Sequence, residues 1–593
     1  MSGRALLGLA LACHLVFATG YLLRMPVFEG PDESDHMRYA RQLLEHGGLP
    51  VIPGSSESVG YPLRREAALA HHPPLYYLGL AAAQRALGAG DLAVTVGFPP
   101  EREGPSEAYI HQWQHGYDEV APVSREVRVL WVLRGFSVLC GLVSLLLVYR
   151  LGRLTFPGRP AVAGVAALLV ACLPQWSFVH GVLDNGNPAT ALSLAVLCVL
   201  AVGLRDRRLS VRRGIGLGLL LGVTLLTKLT AVFLVPVAGV VYLIGLARWR
   251  DERRSTLFSG LALLGTAALV SGAFFWRNTA LYGDPLGSEP YYDHYSTNAI
   301  PDELRWTYFT GAEYPKLGWG GEFFRITFLS LVGHFGWGRL AVPEWVLWIG
   351  RGLGAFALVG WLVRGRRLCE APARVLLLVL AAAVILASLI QFNLIFYQPQ
   401  GRYLFPGLGA MALLLAAGLV GAGERLAPFL ARPAPAAALA LAPAAVAAWV
   451  LFGFAAPAFQ FEPSPDHPYY AVLTADLSTP PPPERAGIRP LEPADGARLE
   501  APATFRWEPP PGTPPGARYT LHLYAADGRV IGASYEMARL ALEGDSWAYP
   551  PEFWPFLPVG EEIRWKVRRL PDRSRGEDVA DVEESPESSF VRY

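Results

Sequence analysis

The chain reads as an α-helical polytopic membrane protein with a small all-β, sandwich-like domain at its C-terminal end. Three observations predict this. Hydrophobic residues make up 52% of the 593 residues and charged residues only 17%, against about 25% in soluble domains. The missing charge corresponds to apolar runs long enough to cross a bilayer, which takes ~20 residues. Past residue 490 the pattern changes to short alternating runs, the period-two signature of strands. A net charge of +1 argues against a nucleic-acid partner.

The length rule places spans near 4–23, 127–149, 161–180, 188–204, 214–228, 230–247, 257–276, 343–363, 374–396, 403–422 and 434–457, about eleven helices. The stretch 214–247 reads either as one long helix or as two short ones broken near Lys228. Charge placement decides. Basic clusters occur at Arg150/Arg153/Arg159, RDRRLSVRR (205–213), RWRDERR (248–254) and RGRR (364–367). The positive-inside rule puts them on the cytoplasmic side. An even number of crossings then separates 205–213 from 248–254, which two helices satisfy and one does not. The outer side receives 24–126, 181–187, 277–342, the QPQGRYLFP turn and the tail from about 458. It holds, or borders on, eleven of the 12 histidines; His14 is the exception. The N-terminal apolar run exceeds the usual length of a secretory signal core and lacks a clear Ala-x-Ala site, so it is expected to stay as the first span. The Ala-, Arg-, Gly- and Pro-rich usage suggests a bacterial chain in the plasma (inner) membrane, with its polar chemistry on the periplasmic or exterior face.

Cys13, Cys140, Cys172 and Cys198 fall in apolar spans and Cys369 in a basic loop. No Cys-x-x-Cys spacing exists, so neither a cysteine zinc site nor a disulfide framework is indicated. Residues 458–490 are Pro-rich (FEPSPDHP, STPPPPERAG) and read as a semi-rigid linker. The runs ATFRWEP, ARYTLHLYA, GRVIGASYE and EIRWKVRRL then predict a β-sandwich over 491–593. Trp507 and Tyr519 resemble a fibronectin type III- or immunoglobulin-like pattern. A spacer or packing role is preferred for this domain; exposed Trp547 or Trp554 would favour sugar binding instead.

The first outer loop carries the main chemical signal. PDESDHMRYARQLLEHG predicts a helix from about Glu33 to Glu45, with Asp32 at its N-cap. Capping explains an Asp there. It does not explain Asp35 and His36 in the same turn, or the second cluster HHPPLYY (71–77). His36, His71, His72 and the pair His111/His115 are the candidate ligands for a divalent cation (Mg or Mn). AYIHQWQHGYDEV is expected to be an interfacial helix with Trp113 and Tyr117 as anchors, which puts the two histidines on one face. The absence of His-Glu-x-x-His, and the scatter of candidates over separate segments, weigh against a metal. LDNGNPATA (183–191) reads as a turn and helix start with Pro188 at the first helical position, a reading preferred to Asp184, Asn185 and Asn187 lining a cavity. The loop 277–342 has YYDHYSTN, Trp306, Tyr308, Trp319 and Trp337, aromatics suited to sugar stacking and, more commonly, to interfacial anchoring.

Five short elements, taken in order, resemble the integral-membrane glycosyltransferases of the GT-C superfamily, which include the aminoarabinose and protein mannosyltransferases. They are Pro-Asp-Glu after the first helix, HPPLYY, LLTKLTAVFLVP (225–236), WRNTALYGDPLG (276–287) and QGRYLFP (400–406). The resemblance covers roughly 1–420 and implies a GT-C-like membrane domain over 1–457. It implies a polyprenyl-phosphate sugar as donor, with a lipid, glycan or protein as acceptor. It also implies an inverting single displacement, with the acid of the first loop as general base. Asp32 matches that position and Glu33 is the alternate.

The residues suggest the same division of labour. A sugar hydroxyl is a weak nucleophile that a carboxylate activates by taking its proton. A phosphate leaving group calls for cations, for which Lys228, Arg277 and Arg402 stand at outer helix ends; snorkelling is their bland explanation. Asp35, His36, His71, His72, Asn278 and Tyr403 are the expected substrate contacts. Membrane lipids are the remaining partners. The competing readings are a transporter or flippase of lipid-linked glycans, for which no internal repeat is seen, a non-catalytic envelope assembly protein, and a ligase moving whole glycans.

Overall fold

A computed structural model describes residues 2–52, 69–90, 110–111, 113, 115, 119–120, 123–294, 305, 318–430, 433–461, 487–513, 517–524, 530–534, 542–549, 551, 554, 557–569 and 585–593. Most of the expected Pro-rich linker, together with Trp306, Tyr308 and Tyr117, lies outside these residues. The chain divides into two compact units. The first comprises Met1–Met25, His71–Tyr76 and Val132–Ala458; the second comprises Pro26–Ala70, Tyr77–Trp131 and Phe459–Tyr593.

The first unit is a helical bundle of a multi-span membrane protein. Among the described residues, nine helices are long and apolar enough to span: Gly3–Arg24, Arg125–Thr155, Gly186–Asp206, Leu229–Arg248, Arg250–Tyr282, Glu344–Leu368, Pro372–Ile395, Gly401–Glu424 and Leu441–Ala458. Two of the eleven expected spans differ. The stretch 161–180 is a helix pair, Pro160–Ala171 and Pro174–His180, bent by 66°. Pro174 lacks an N–H and forces Leu173 into an extended conformation (φ −74°, ψ 115°), so the helix cannot run through. The helix Val211–Leu225 has 15 residues, about 22 Å at 1.5 Å per residue, short of a ~30 Å hydrocarbon core. It stops before Lys228, which is extended at φ −158° and ψ 135°, and the chain restarts through a 3-10 turn, Leu229–Phe233. The break near Lys228 that charge parity demanded is therefore present.

The basic loops meet at one end of the bundle. Arg159 pairs with Glu424 (3.0 Å) and Glu370. Arg208 pairs with Glu252 (3.5 Å), and Ser255 Oγ donates to the Leu209 carbonyl. The helix Gly186–Asp206 runs from the opposite end to this one. Its 21 residues cover about 30 Å. Within the long helix Arg125–Thr155, fully buried Arg134 donates to the Leu22 (3.1 Å) and Met25 (2.9 Å) carbonyls. These belong to the acceptors that the end of the first helix leaves open, which is how a guanidinium is tolerated at that depth.

Close packing fixes the short helix. Gly214, Gly218 and Gly222 recur every four residues on one face. A Cβ at Gly218 would lie 2.5 Å from the Leu263 carbonyl oxygen, and one at Gly222 2.7 Å from Val270 Cβ. Lipid gives helices no hydrophobic reason to associate, so small residues that admit backbone contact take over.

In the second unit, the helix Glu33–His46 matches expectation. Its C-terminal part is a two-sheet sandwich. With β1 (His334–Phe335) and β2 (Leu340–Ala341) forming a hairpin in the bundle, the sandwich strands are β3 (Arg489–Glu492), β4 (Ala497–Leu499), β5 (Thr504–Glu508), β6 (Arg518–Tyr524), β7 (Val530–Ala533), β8 (Leu542–Glu543), β9 (Ser546–Ala548), β10 (Glu562–Arg569) and β11 (Ser588–Arg592). One sheet runs β4-β11-β10-β6-β7, with β8 also on β6; the other runs β3-β5-β9. β10 pairs antiparallel with β6 (Trp565 opposite Leu523), whereas β11 and β4 are parallel. Phe505 joins the sheets, 5.1 Å from Trp565 and 5.8 Å from Phe590. Trp507, Trp547, Trp554 and Trp565 are all buried. Trp547 and Trp554, whose exposure would have favoured sugar binding, are part of this buried core.

Two outcomes follow from this packing. Gly218→Val should cost about 1–3 kcal/mol and lower the Tm of the detergent-solubilised protein. Gly216→Val, where a Cβ meets nothing within 4 Å, should leave it near the wild-type value. The second outcome concerns His522 on β6. Burial, with the Arg568 charge beside it, holds its imidazole down at about 3, while the unfolded chain titrates near ~6.5. The unfolded state therefore binds the extra proton in between, and the sandwich loses stability as pH falls from about 6.5 toward 3. His522→Gln should flatten that slope in tryptophan-fluorescence unfolding of the full chain.

Candidate functional site

The polar groups of interest form one set in each unit. In the bundle, three broken elements converge at the end opposite the basic loops. The turn 183–185 supplies Asp184, the break after Val211–Leu225 supplies Lys228, and the 3-10 turn Gly401–Leu404 supplies Arg402. Asp184 Oδ1 accepts from Lys228 Nζ at 3.2 Å and Oδ2 from Arg402 Nη1 at 2.9 Å. All three side chains are nearly buried, 2%, 11% and 5% exposed for Asp184, Lys228 and Arg402. Together they carry one net positive charge. Arg402 Nε also donates to Gln400 Oε1 (2.7 Å), and the Tyr403 ring lies 5.9 Å from Lys228 Nζ and 5.5 Å from the Arg402 guanidinium.

Two glycines make the convergence possible. Gly186 N donates to Asp184 Oδ1, and a Cβ there would stand 2.7 Å from that oxygen and 3.1 Å from Lys228 Nζ. Gly401 donates to Ser330 Oγ (2.8 Å), and a Cβ there would collide with the Leu331 backbone.

Around this group, His72 Nδ1 meets Asn185 Nδ2 at 3.1 Å, and His71 packs on Tyr291 at 4.0 Å, which in turn packs on Phe396. Two of the three expected phosphate cations, Lys228 and Arg402, are thus brought together with Tyr403. Arg277 Nη1 donates to Asn278 Oδ1 (3.3 Å), and buried Asn278 donates to the Pro285 carbonyl (3.2 Å). Asp284 of the same motif serves the fold, accepting from the Leu286, Ser288 and Glu289 amides. Asp184 was underrated from sequence, where LDNGNPATA reads as a turn. The helix begins at Gly186, two residues before Pro188, and Asp184 anchors both cations.

In the second unit, Asp32 takes the N-cap position but does not cap. Its backbone is left-handed (φ 59°, ψ 9°), and its side chain makes no capping hydrogen bond. Left-handed backbone is uncommon outside glycine, and costly non-glycine cases cluster at functional sites. Asp32 is half-buried and Glu33 fully buried. Asp35 pairs with Arg38 of its own helix (3.2 Å). His36 Nδ1 meets Tyr77 Oη at 3.0 Å, and Tyr77 stacks on Tyr39 at 3.8 Å, so the PDESDH and HPPLYY segments are in contact.

The described residues of the stretch 108–120 do not form the expected interfacial helix. The described residues Ile110, His111, Trp113 and His115 lie in loop or bend conformation. Trp113 is buried rather than an interfacial anchor, its indole N–H donating to the Phe28 carbonyl (3.0 Å). Glu29 and Glu119, unnoticed from sequence, organise this stretch. Glu29 Oε1 accepts from Trp113 N (3.0 Å) and meets His115 Nε2 at 3.1 Å. Glu119 meets His115 Nδ1 at 2.8 Å and accepts from Val27 N at 2.7 Å. Burial alone would raise Glu29, but the neighbouring imidazoles of His111 and His115 hold its carboxyl down at about 2. Burial would depress His115, but Glu119 and Glu29 push it up to about 10. Among the described residues, Glu29, His111 and His115 are the group whose donor atoms lie close enough to share a metal. His36, His71 and His72 are not part of it.

Residues 126–276 match the family model described as dolichyl-phosphate-mannose-protein mannosyltransferase, a GT-C membrane glycosyltransferase family. The expected GT-C resemblance is borne out over that stretch, about a quarter of the chain, which contains Asp184 and Lys228 but neither Asp32 nor Arg402. No curated protein matches the chain significantly. Among solved structures, it is similar to the oligosaccharyltransferase of Archaeoglobus fulgidus tethered with an acceptor peptide, with 14% identity over 77% of this chain and 56% of that one and a TM-score of 0.41. It is similar to ArnT from Cupriavidus metallidurans bound to undecaprenyl phosphate (15% identity, 73% and 79% covered, TM-score 0.32). A third is the arabinosyltransferase EmbB from Mycobacterium smegmatis (14% identity, 99% and 62% covered, TM-score 0.32). The chain spans just over half the length of the archaeal protein. At these scores the likeness assigns no role to any residue here.

Removing Asp184 tests how the cations are held. Asp184→Ala should destabilise the bundle by about 3 kcal/mol or more, because it strips the carboxylate from two buried cations. Adding Lys228→Met should recover part of that loss, read as Tm in a double-mutant cycle.

Proposed function

We propose that this chain is a membrane glycosyltransferase that moves a hexosyl or pentosyl group from a polyprenyl-phosphate donor to a hydroxyl of a lipid, glycan or protein acceptor. The matched mannosyltransferase segment is the premise. The observation that carries the reading is the pairing of Lys228 and Arg402 on one buried carboxylate, Asp184. That set has a net positive charge at the terminus of a membrane bundle and suits a phosphate bearing an apolar tail. Arg402 presents a planar fork and Lys228 a point charge, complementary ways of binding phosphate oxygens.

In the proposed reaction the acceptor oxygen attacks the anomeric carbon, and the bond from that carbon to the phosphate oxygen breaks. Polyprenyl phosphate leaves with the electron pair, and the acceptor proton passes to a carboxylate. A single displacement of this kind inverts the anomeric centre. Charge builds on the departing phosphate, so cations fixed in advance stabilise the transition state more than the ground state. Asp32 is the proposed base. Its motif and its left-handed, non-capping backbone support this, with Glu33 as the alternate. Lys228 and Arg402 bind the donor phosphate, with Arg277 as a further cation, and Asp35, His36, His71, His72, Asn278 and Tyr403 are retained as proposed substrate contacts. The proposed setting is the plasma membrane, with the site on the outer face.

Transfer of labelled sugar from a panel of polyprenyl-phosphate sugars by the purified protein tests this. Asp32→Asn should lower kcat by about 10²–10⁴-fold with donor binding retained. Lys228→Gln and Arg402→Gln should each weaken donor binding by roughly 10–100-fold, the value of a hydrogen bond to a charged group. Equal kcat in Asp32→Asn and wild type would remove Asp32 as base. Donor flux across proteoliposomes without transfer would favour the transporter reading.

A further inference from the structure

We propose that Glu29, His111 and His115 form a binding site for a zinc-type dication, which ties the segment leading to Asp32 to residues 110–115. The donor atoms have the required spacing. Glu29 Oε1 lies 3.1 Å from His115 Nε2 and 3.8 Å from His111 Nδ1, and all the donors lie within 4.8 Å of one another. Bonds of about 2.0–2.1 Å in a tetrahedral site put neighbouring donors roughly 3.4 Å apart. Two imidazoles and one carboxylate, with a fourth position left for water, form a set that zinc accepts. Magnesium and calcium prefer oxygen donors throughout, so zinc fits better than the magnesium or manganese considered from sequence.

The outer nitrogens of both rings support the assignment. His115 Nδ1 faces Glu119 at 2.8 Å, and His111 Nε2 faces the Gln460 carbonyl at 3.4 Å. An acceptor on the outer nitrogen holds the proton there and turns the lone pair of the inner nitrogen toward the metal, the usual arrangement behind metal-bound histidine. Glu119 is itself held by the Val27 amide. His111 Nδ1 is buried, has no hydrogen bond, and points at Glu29. With one histidine protonated, Glu29, Glu119, His111 and His115 carry one net negative charge. A dication in place of that proton would bring the set to neutrality.

The site ties together three parts of the second unit. Glu29 stands three residues before Asp32, between the two left-handed residues Phe28 (φ 62°) and Asp32 (φ 59°). His111 and His115 come from the end of the first loop, and Phe461 packs on His115 at 4.8 Å. A bound ion would lock the backbone that presents Asp32 without touching the reacting atoms.

Metal analysis of the full chain tests this independently of any activity. The protein is purified in detergent without metal-affinity resin or chelator and equilibrated with a zinc buffer. About one zinc per chain is expected, given three protein donors. Asp32→Asn should keep it. His111→Ala, at a partly exposed ring, should reduce it to background. Glu119→Gln keeps every ligand and should raise the zinc Kd by about 10–100-fold. Cobalt(II) should give the visible bands of a four-coordinate ion in wild type and lose them in His111→Ala. A wild-type chain that takes up no zinc, or zinc held with unchanged affinity by both His111→Ala and Glu119→Gln, would overturn the site and leave a protonated His115 between two carboxylates.

Discussion

Charge placed where water is scarce has to be compensated locally, and much of the bundle's irregularity follows from one such compensation. Asp184 accepts from both Lys228 and Arg402. Bringing these three together requires that no helix run straight through their positions. The short helix stops so that Lys228 can turn inward, a 3-10 turn delivers Arg402, and a glycine beside Asp184 leaves room for the carboxylate. The glycine face of Val211–Leu225 then holds the interrupted element in place. Each device lowers local regularity, and the ion group is what they share.

The second unit balances the opposite sign. Two buried carboxylates, Glu29 and Glu119, are held by imidazoles and backbone amides, and they shape the loop that leads to Asp32. Asp32 sits in a backbone state that costs free energy and is not offset by a capping bond. Such a residue persists only where its surroundings over-determine it, and Glu29, anchored three residues earlier, is part of that surrounding structure. The sandwich contributes differently. Its tryptophans fill the space between two sheets and build its core.

What the sequence disclosed follows from what a one-dimensional pattern can encode. Apolar length gave nine of the spans, charge parity found the break near Lys228, and period-two runs placed β5, β6, β7 and β10. The 66° bend at Pro174 was missed because both halves are apolar and hydropathy does not register direction. Lys228 and Arg402 were legible as cations near helix ends. Their partner was not, because Asp184 lies 44 and 218 positions away from them, and Asp in a turn has an adequate local explanation. The His111/His115 spacing suggested a helix face. The rings do approach, 5.0 Å apart, but tertiary contacts with Glu29 bring them together, and no periodicity reports those.

The ion pairs at the basic end have a consequence in time. Arg159 is partnered by Glu370 and Glu424, which lie 211 and 265 positions later in the chain. A ribosome adding about 5–20 residues per second leaves an interval of roughly 10–50 s before those acids exist. During that interval the early loop presents a bare guanidinium to the insertion machinery, which orients helices by such charges. Once the later helices arrive, the same group becomes a fastening between loops. One arginine can thus serve first as a signal for insertion and afterwards as structure, and the order of synthesis keeps the two uses from competing.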